Sequence, residues 1–170
     1  MELFHTFNEE NVSEQEASTY KVRKAVRAIV IDQEDNLGLI HITNSDRQYY
    51  ELPGGGVEEG ESLEQACIRE CKEEIGCVVE IVRELGMTRE YRKKLERINE
   101  SYCFVVKVVG EKGLPELTEK EKALGVEPVW FSKEESFRLI QQSLKDLKDH
   151  IELYDKYILE RSIVFLENMK

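Results

Sequence analysis

The sequence predicts an α/β fold, with helices on both sides of a mixed β-sheet, and three observations predict it. Runs rich in β-branched and apolar residues at Val22–Asp32, Leu39–Ile42, Val78–Leu85 and Ser101–Val109 read as strands. Apolar residues recur at helical spacing between them, at Leu63, Cys67, Cys71 and Ile75, and a second helical pattern fills the C-terminal region. Strands are therefore followed by helices on both sides of the central region, the order expected of a layered α/β sandwich.

Residues 1–20 are polar, although Leu3 and Phe4 can pack as a first strand. Asp35, Asn36 and Gly38 make a turn between Val22–Asp32 and Leu39–Ile42. Pro53 and the three glycines that follow make a second turn after a short strand, where glycine lets the backbone approach a ligand closely. Ser62 is placed to cap the next helix and Gly76 to end it. The charged segment from Gly110 to Glu127 holds Gly113, Pro115 and Gly125 and reads as a mobile loop. Val129–Phe131 is a short strand, and Ser132 with Glu135 forms a capping box that opens a helix. Leu147, Ile151, Tyr154, Ile158 and Phe165 continue the helical pattern. We read residues 1–170 as one domain, with 132–170 a C-terminal helical extension that covers one face of the sheet.

At 170 residues the chain can bury a core without disulfides or metals to staple it. Its net charge of -11 argues against nucleic acid as a partner, since such binding rests on many Lys and Arg contacts to phosphate. The N-terminus lacks the basic and long apolar regions of a signal peptide, and no apolar run is long enough to span a bilayer. These features predict a cytoplasmic protein, without membrane contact, acting as a monomer or homodimer on a small molecule. Cys67 and Cys71 stand one helical turn apart, but no adjoining His or third Cys completes a zinc pattern, so they read as buried free thiols.

The chemistry is concentrated in Gly55–Cys77. Glu70, Glu73 and Glu74 fall at i, i+3 and i+4 and share one helix face. Carboxylates that close repel one another, and the simplest candidate to offset the repulsion is a hard divalent cation with a preference for oxygen, Mg2+ or Mn2+. Two or three such glutamates are more often a solvated face, and Arg69 among them is equally compatible with a surface ion-pair network. The wider spacing reverses that balance. Gly55, Glu61, Arg69, Glu70, Glu73, Glu74 and Gly76 match every fixed position of the pattern G-x5-E-x7-R-E-U-x-E-E-x-G-U, where U is bulky and apolar. Seven matches arise by chance on the order of once in 10^8 registers. The segment resembles the Nudix box, and the lead-in Tyr50-Glu-Leu-Pro-Gly54 resembles that family's as well. The departures are compact Cys71 and Cys77 at the two U positions.

The resemblance implies a Nudix-type α/β/α sandwich and a Mg2+- or Mn2+-dependent hydrolase. Metal-activated water would cleave a P–O–P bond of a nucleoside diphosphate linked to another group. It assigns Glu70 and Glu74 as metal ligands, with Glu73 a further ligand or water-orienting group and the Gly54 carbonyl an additional donor. Arg69 holds the glutamates in place, and Glu61 supports the site from its edge. For the general base the candidates are Glu121, then Glu119, both in the segment before Trp130. Arg27 and Arg23 share one face of a strand and are candidates for phosphate contact, and Tyr50 for packing on a base. Tyr91 and Tyr102 are weaker stacking candidates, and the basic run Arg89, Arg92, Lys93, Lys94 and Arg97 is either an anion guide or a solvated turn. Two alternatives stand beside the hydrolase. One is a Nudix-fold nucleotide-binding or regulatory module without turnover, although such modules usually lose box glutamates and this chain keeps all of them. The other is an isomerase on the same fold, which needs a reactive cysteine.

Overall fold

A computed structural model of the chain describes residues 1–44, 47–147 and 153–169, apart from the side chains of residues 154 and 155. The elements run β1 (Leu3–Phe7), α1 (Glu14–Ala17), β2 (Lys21–Ile31), β3 (Leu37–Thr43), β4 (Gln48–Glu51), α2 (Leu63–Ile75), β5 (Val79–Arg92), β6 (Arg97–Val108), α3 (Glu119–Ala123), β7 (Val126–Phe131), α4 (Lys133–Leu147) and α5 (Leu153–Glu167). A one-turn 3-10 segment, Lys93–Leu95, joins β5 to β6.

The seven strands form one mixed sheet in the order β1-β5-β6-β2-β3-β4, with β7 on the other edge of β3. β6 lies parallel to β2 over its full length, and β5 and β6 make a long antiparallel hairpin. The sheet splits between β2 and β3. These two pair only at Val30–Gly38 and Ile31–Leu37, after which β3 turns away to pair with β4. Residues 53–57 fill the gap: Val26 N–H donates to Gly55 C=O and Ala28 N–H to Pro53 C=O, both at 2.9 Å. Val57 N–H donates back to Lys24 C=O at 3.1 Å. The glycine turn is thus stitched to β2 in the middle of the sheet.

Two apolar cores flank the sheet, which makes the molecule a three-layer α/β/α sandwich. On one side α2 packs Ala66, Cys67, Cys71 and Ile75 against Val26, Ala28, Val30, Phe104 and Val106. On the other, Ile140 of α4 and Phe165 and Leu166 of α5 cover Ile29, Leu37, Leu39, Leu52 and Cys103. Strand alternation divides β2 between the layers, its even-numbered residues facing α2 and Ile29 facing α5.

The structure departs from the sequence reading in three places. β5 and β6 extend to Arg92 and back from Arg97, so the basic run becomes the tip of a hairpin. The expected mobile loop contains α3, capped by Thr118, and is tied down where Gly113 N–H donates to Gly76 C=O and Glu116 N–H to Glu73 C=O. In the C-terminal region Leu147 and Phe165 are buried as expected, but α5 also buries Tyr157, Leu159 and Arg161, residues off the predicted stripe. Ile151 of that stripe lies outside the described residues. No helix among the described residues is long and apolar enough to cross a membrane.

Candidate active site

α2 begins with a complete capping box. Gln65 N–H donates to Ser62 Oγ, and the Gln65 side chain returns to Ser62 N–H. It ends at Gly76, whose φ of 67° is the left-handed conformation that glycine adopts without strain. Burial of Cys67, Cys71 and Ile75 fixes the rotation of the helix and turns the acidic face toward the glycine turn.

On that face Arg69 is the hub. Its guanidinium donates to Glu61 Oε1 at 2.9 Å, Glu70 Oε1 at 2.8 Å, Glu73 Oε2 at 3.0 Å and Gly56 C=O at 2.9 Å. Arg69 therefore ties the helix to the turn. It holds the Glu61 carboxyl below the usual carboxylate range. Burial pushes Glu70 above that range even though Arg69 opposes it. Glu74 is half-buried and accepts from Gly54 N–H at 2.6 Å. Burial pushes its carboxyl up to about 8, and repulsion from Glu51 and Glu70 adds to the effect. The turn has no room for side chains: a Cβ on Gly55 would sit 2.3 Å from Glu70 Oε1, and one on Gly54 2.2 Å from Val26 C=O.

Beside the turn opens a basic pocket of about 450 Å3. β2 contributes Arg23 and Arg27, the β5–β6 hairpin Arg92 and Arg97, α3 Lys120 and α5 Arg161. Arg23 adjoins the box directly, because a Cβ on Gly56 would lie 2.8 Å from its Nη2. Burial, then the charges of Arg97, Arg27 and Arg92, hold the Arg23 guanidinium below the usual arginine range. Arg161 is 3% exposed; burial, with Arg27 adding repulsion, pushes it down to about 9. Its Nη1 donates to Ser101 Oγ at 3.1 Å and Glu90 Oε2 at 3.4 Å. Glu90 also pairs with Arg92.

The structure thus brings together Gly54, Glu61, Arg69, Glu70, Glu73 and Glu74, and sets Arg23 and Arg27 beside them. It does not bring Tyr50 there. That ring stacks on His41 with centroids 4.5 Å apart and lines a separate depression with Leu139 and Ser143. Glu121 sits on α3 next to Lys120, but its carboxylate caps its own helix, accepting from Thr118 N–H at 2.7 Å and Thr118 Oγ at 2.8 Å. Glu119 pairs with Lys122 at the surface. Tyr102 donates to Glu100 and packs on the α2-side core. Of the basic run, Arg92 and Arg97 reach the pocket, while Arg89 pairs with Glu100. Sequence reasoning missed Lys120 and Arg161. For Arg161 a signal existed, a lone arginine flanked four residues away on each side by Tyr157 and Phe165.

The NUDIX domain model matches residues 21–157, most of the chain. The chain belongs to the NUDIX family. Over 55 residues this Nudix domain is 40% identical to the RNA pyrophosphohydrolase of Orientia tsutsugamushi (strain Boryong), a match covering 32% of the chain and 34% of that relative. It thus spans only about a third of the length of that protein. Over 122 residues it is 28% identical to diphosphoinositol polyphosphate phosphohydrolase 3-alpha of Mus musculus, covering 72% of the chain and 70% of the relative. Among solved structures, a NUDIX hydrolase from Nitrosomonas europaea superposes with a TM-score of 0.57 at 24% identity, over 79% of this chain and 99% of that one. The E. coli ORF135 protein does so with a TM-score of 0.57 at 23% identity, over 84% and 89%. These structures share the fold.

Whether a divalent cation fits can be judged from the donor set. Among the described residues no three acidic, His or Cys side chains already converge on a cation position, because Arg69 engages Glu61, Glu70 and Glu73. The donors themselves are hard oxygens, and burial with the neighbouring carboxylates raises Glu74 although Gly54 N–H and Arg27 oppose the shift. Oxygen donors of this kind are those a hard divalent cation takes.

Proposed function

We propose that this Nudix domain is a divalent-cation-dependent hydrolase of a P–O–P bond in a nucleoside diphosphate derivative. One observation carries the reading: the part-buried Glu74–Gly54 contact joins the acidic face of α2 to a turn that adjoins, through Arg23, an arginine-lined pocket. The relatives' names support it, since RNA pyrophosphohydrolase, diphosphoinositol polyphosphate phosphohydrolase and putative 8-oxo-dGTP diphosphatase all denote phosphoanhydride cleavage.

Glu70, Glu74 and the Gly54 carbonyl are the residues that would hold Mg2+ or Mn2+, with Glu73 beside them as a further ligand or a group that orients water. Such an ion neutralises phosphate charge and makes water acidic enough to ionise near neutral pH. Arg23 and Arg27 bind the diphosphate oxygens and orient the anhydride toward α2. Water oxygen bonds to phosphorus, the bridging oxygen leaves with the departing phosphate, and the water proton passes to a carboxylate of this chain. We assign that proton to Glu73, which lies on the acidic face, pairs with Arg69 through one oxygen and is 41% exposed, in place of Glu121, whose carboxylate turns back on Thr118 at the start of α3. Arg69 and Glu61 are positioning residues. The isomerase alternative loses its nucleophile, because all four cysteines are free and buried, and burial raises Cys103 well above the usual thiol range.

The test is nucleotide or phosphate release with Mg2+ from dNTPs, oxidised dGTP, ADP-ribose, dinucleoside polyphosphates and nucleotide sugars, run beside Glu74→Gln. Cleavage of one class that EDTA and the variant both abolish is the expected result. Tight nucleotide binding with no cleavage of any member would replace the hydrolase by a binding module.

A further inference from the structure

The basic pocket holds more positive charge than a diphosphate needs. Six cationic side chains from five elements line it, Arg23, Arg27, Arg92, Arg97, Lys120 and Arg161. Arg92 and Arg161 both pair with Glu90 there. Arg23 and Arg97 have no carboxylate partner among the described residues. The Nε atoms of Arg27, Arg97 and Arg161 are buried without an acceptor. A buried donor left unsatisfied is costly, and more so when it is charged.

The geometry points to a second anion subsite in this pocket, one that takes a cluster of phosphoryl groups beyond the scissile diphosphate. This rests on the hydrolase reading only for the position of the diphosphate. Three features define what it binds. Guanidinium groups hold phosphate oxygens in bidentate fashion, and five of them surround one cavity. Among the described residues no aromatic ring lines the cavity, so selection there is by charge and not by stacking on a base. Arg161, at 3% exposed and braced by Ser101 and Glu90, is held before a ligand arrives. Arg161 also lies beyond residue 157, where the match to the family model ends, so α5 adds to the site a group from outside that match.

Two probes without a nucleoside separate the sources of such chemistry: inorganic tripolyphosphate for a linear chain, and myo-inositol hexakisphosphate for phosphates spread on a ring. Each is titrated calorimetrically in EDTA into wild type, Arg97→Ala, Arg161→Gln and Glu74→Gln. Wild type is expected to bind at least one probe at one site per chain. Arg97→Ala and Arg161→Gln each weaken binding at least tenfold, and Glu74→Gln does not weaken it; the probe bound more tightly names the geometry. Arg97 is only partly buried, so its variant remains informative if a thermal melt shows Arg161→Gln unfolded. No binding by wild type, or equal affinity in folded Arg97→Ala, overturns the subsite. Wild type that binds the probes yet cleaves nothing overturns the hydrolase and leaves the subsite standing.

Discussion

Glu74 makes the energetic conflict of the site visible. Its carboxyl is raised to about 8, so the folded chain holds a proton there that the unfolded chain releases in the ordinary carboxylate range. Stability therefore falls as pH rises from that range through about 8, and Glu70, shifted the same way, adds to the loss. Thermal melts of metal-free protein should show this decline, and Glu74→Gln should flatten it. Mg2+ should raise the melting temperature more at pH 8 than at pH 6; an equal rise at both would detach the ion from these carboxylates. Turnover should drop by at least about a hundredfold in Glu74→Gln with the fold intact, the loss expected when a metal site is disturbed. Gly55→Ala tests the same site from the opposite wall. The new Cβ meets the Glu70 carboxylate and not backbone, so the protein should fold, melt within a few degrees of wild type and lose activity. Gly54→Ala, aimed at the Val26 carbonyl and at a φ of 138°, should instead fail to fold normally.

At the scale of elements, α2 should respond to substitution in two separable ways. Ser62→Ala removes the cap and should cost about 1 kcal/mol, read as a lower denaturation midpoint. Cys67→Ala or Cys71→Ala opens space in the α2-side core and should cost about 1–3 kcal/mol while leaving the kcat of folded protein near wild type. Selective loss of turnover in a folded cysteine variant would argue against a purely packing role. This helix was also the most legible element in the sequence. Its cap, apolar stripe and terminal glycine are all local signals, and local signals need no knowledge of the rest of the chain. The strands were legible in place but not in extent: the alternation that marks β5 fades where Glu84, Arg89 and Glu90 turn polar, yet pairing with β6 carries it on to Arg92. α3 stayed hidden for a similar reason. Five residues, Glu119–Ala123, are too short for an apolar period, and only Thr118 with Glu121 marked the start.

The whole molecule carries a charge of -11 and still concentrates six cations in one cavity. Its long-range field repels an anion that its local field attracts. Raising salt from about 0.05 to about 0.5 M should therefore screen both, and the KM for a multiply charged substrate will report the balance. A rise in KM shows the pocket dominant; we expect that result, because the guanidinium groups that line it act at contact distance. No reading of the sequence could assemble this cavity. Arg23 and Arg27 are neighbours on one strand, but Arg92, Arg97, Lys120 and Arg161 join them only through the hairpin, the capped segment and the helix that closes the second layer. The box could be read because its residues lie within one turn and one helix; the pocket could not, because its residues meet only in the folded sheet. The segment between β6 and α3 joins the two halves of the site. Glu116 N–H grips the Glu73 carbonyl at 2.7 Å, Gly113 N–H grips Gly76, and four residues beyond Glu116 the same stretch places Lys120 on the pocket wall. A polyanion that steadies Lys120 therefore also steadies the end of the acidic helix, and by reciprocity a cation at that helix steadies the pocket. Amide exchange at Glu116, far from either ligand in sequence, should slow when either one binds and slow further when both do.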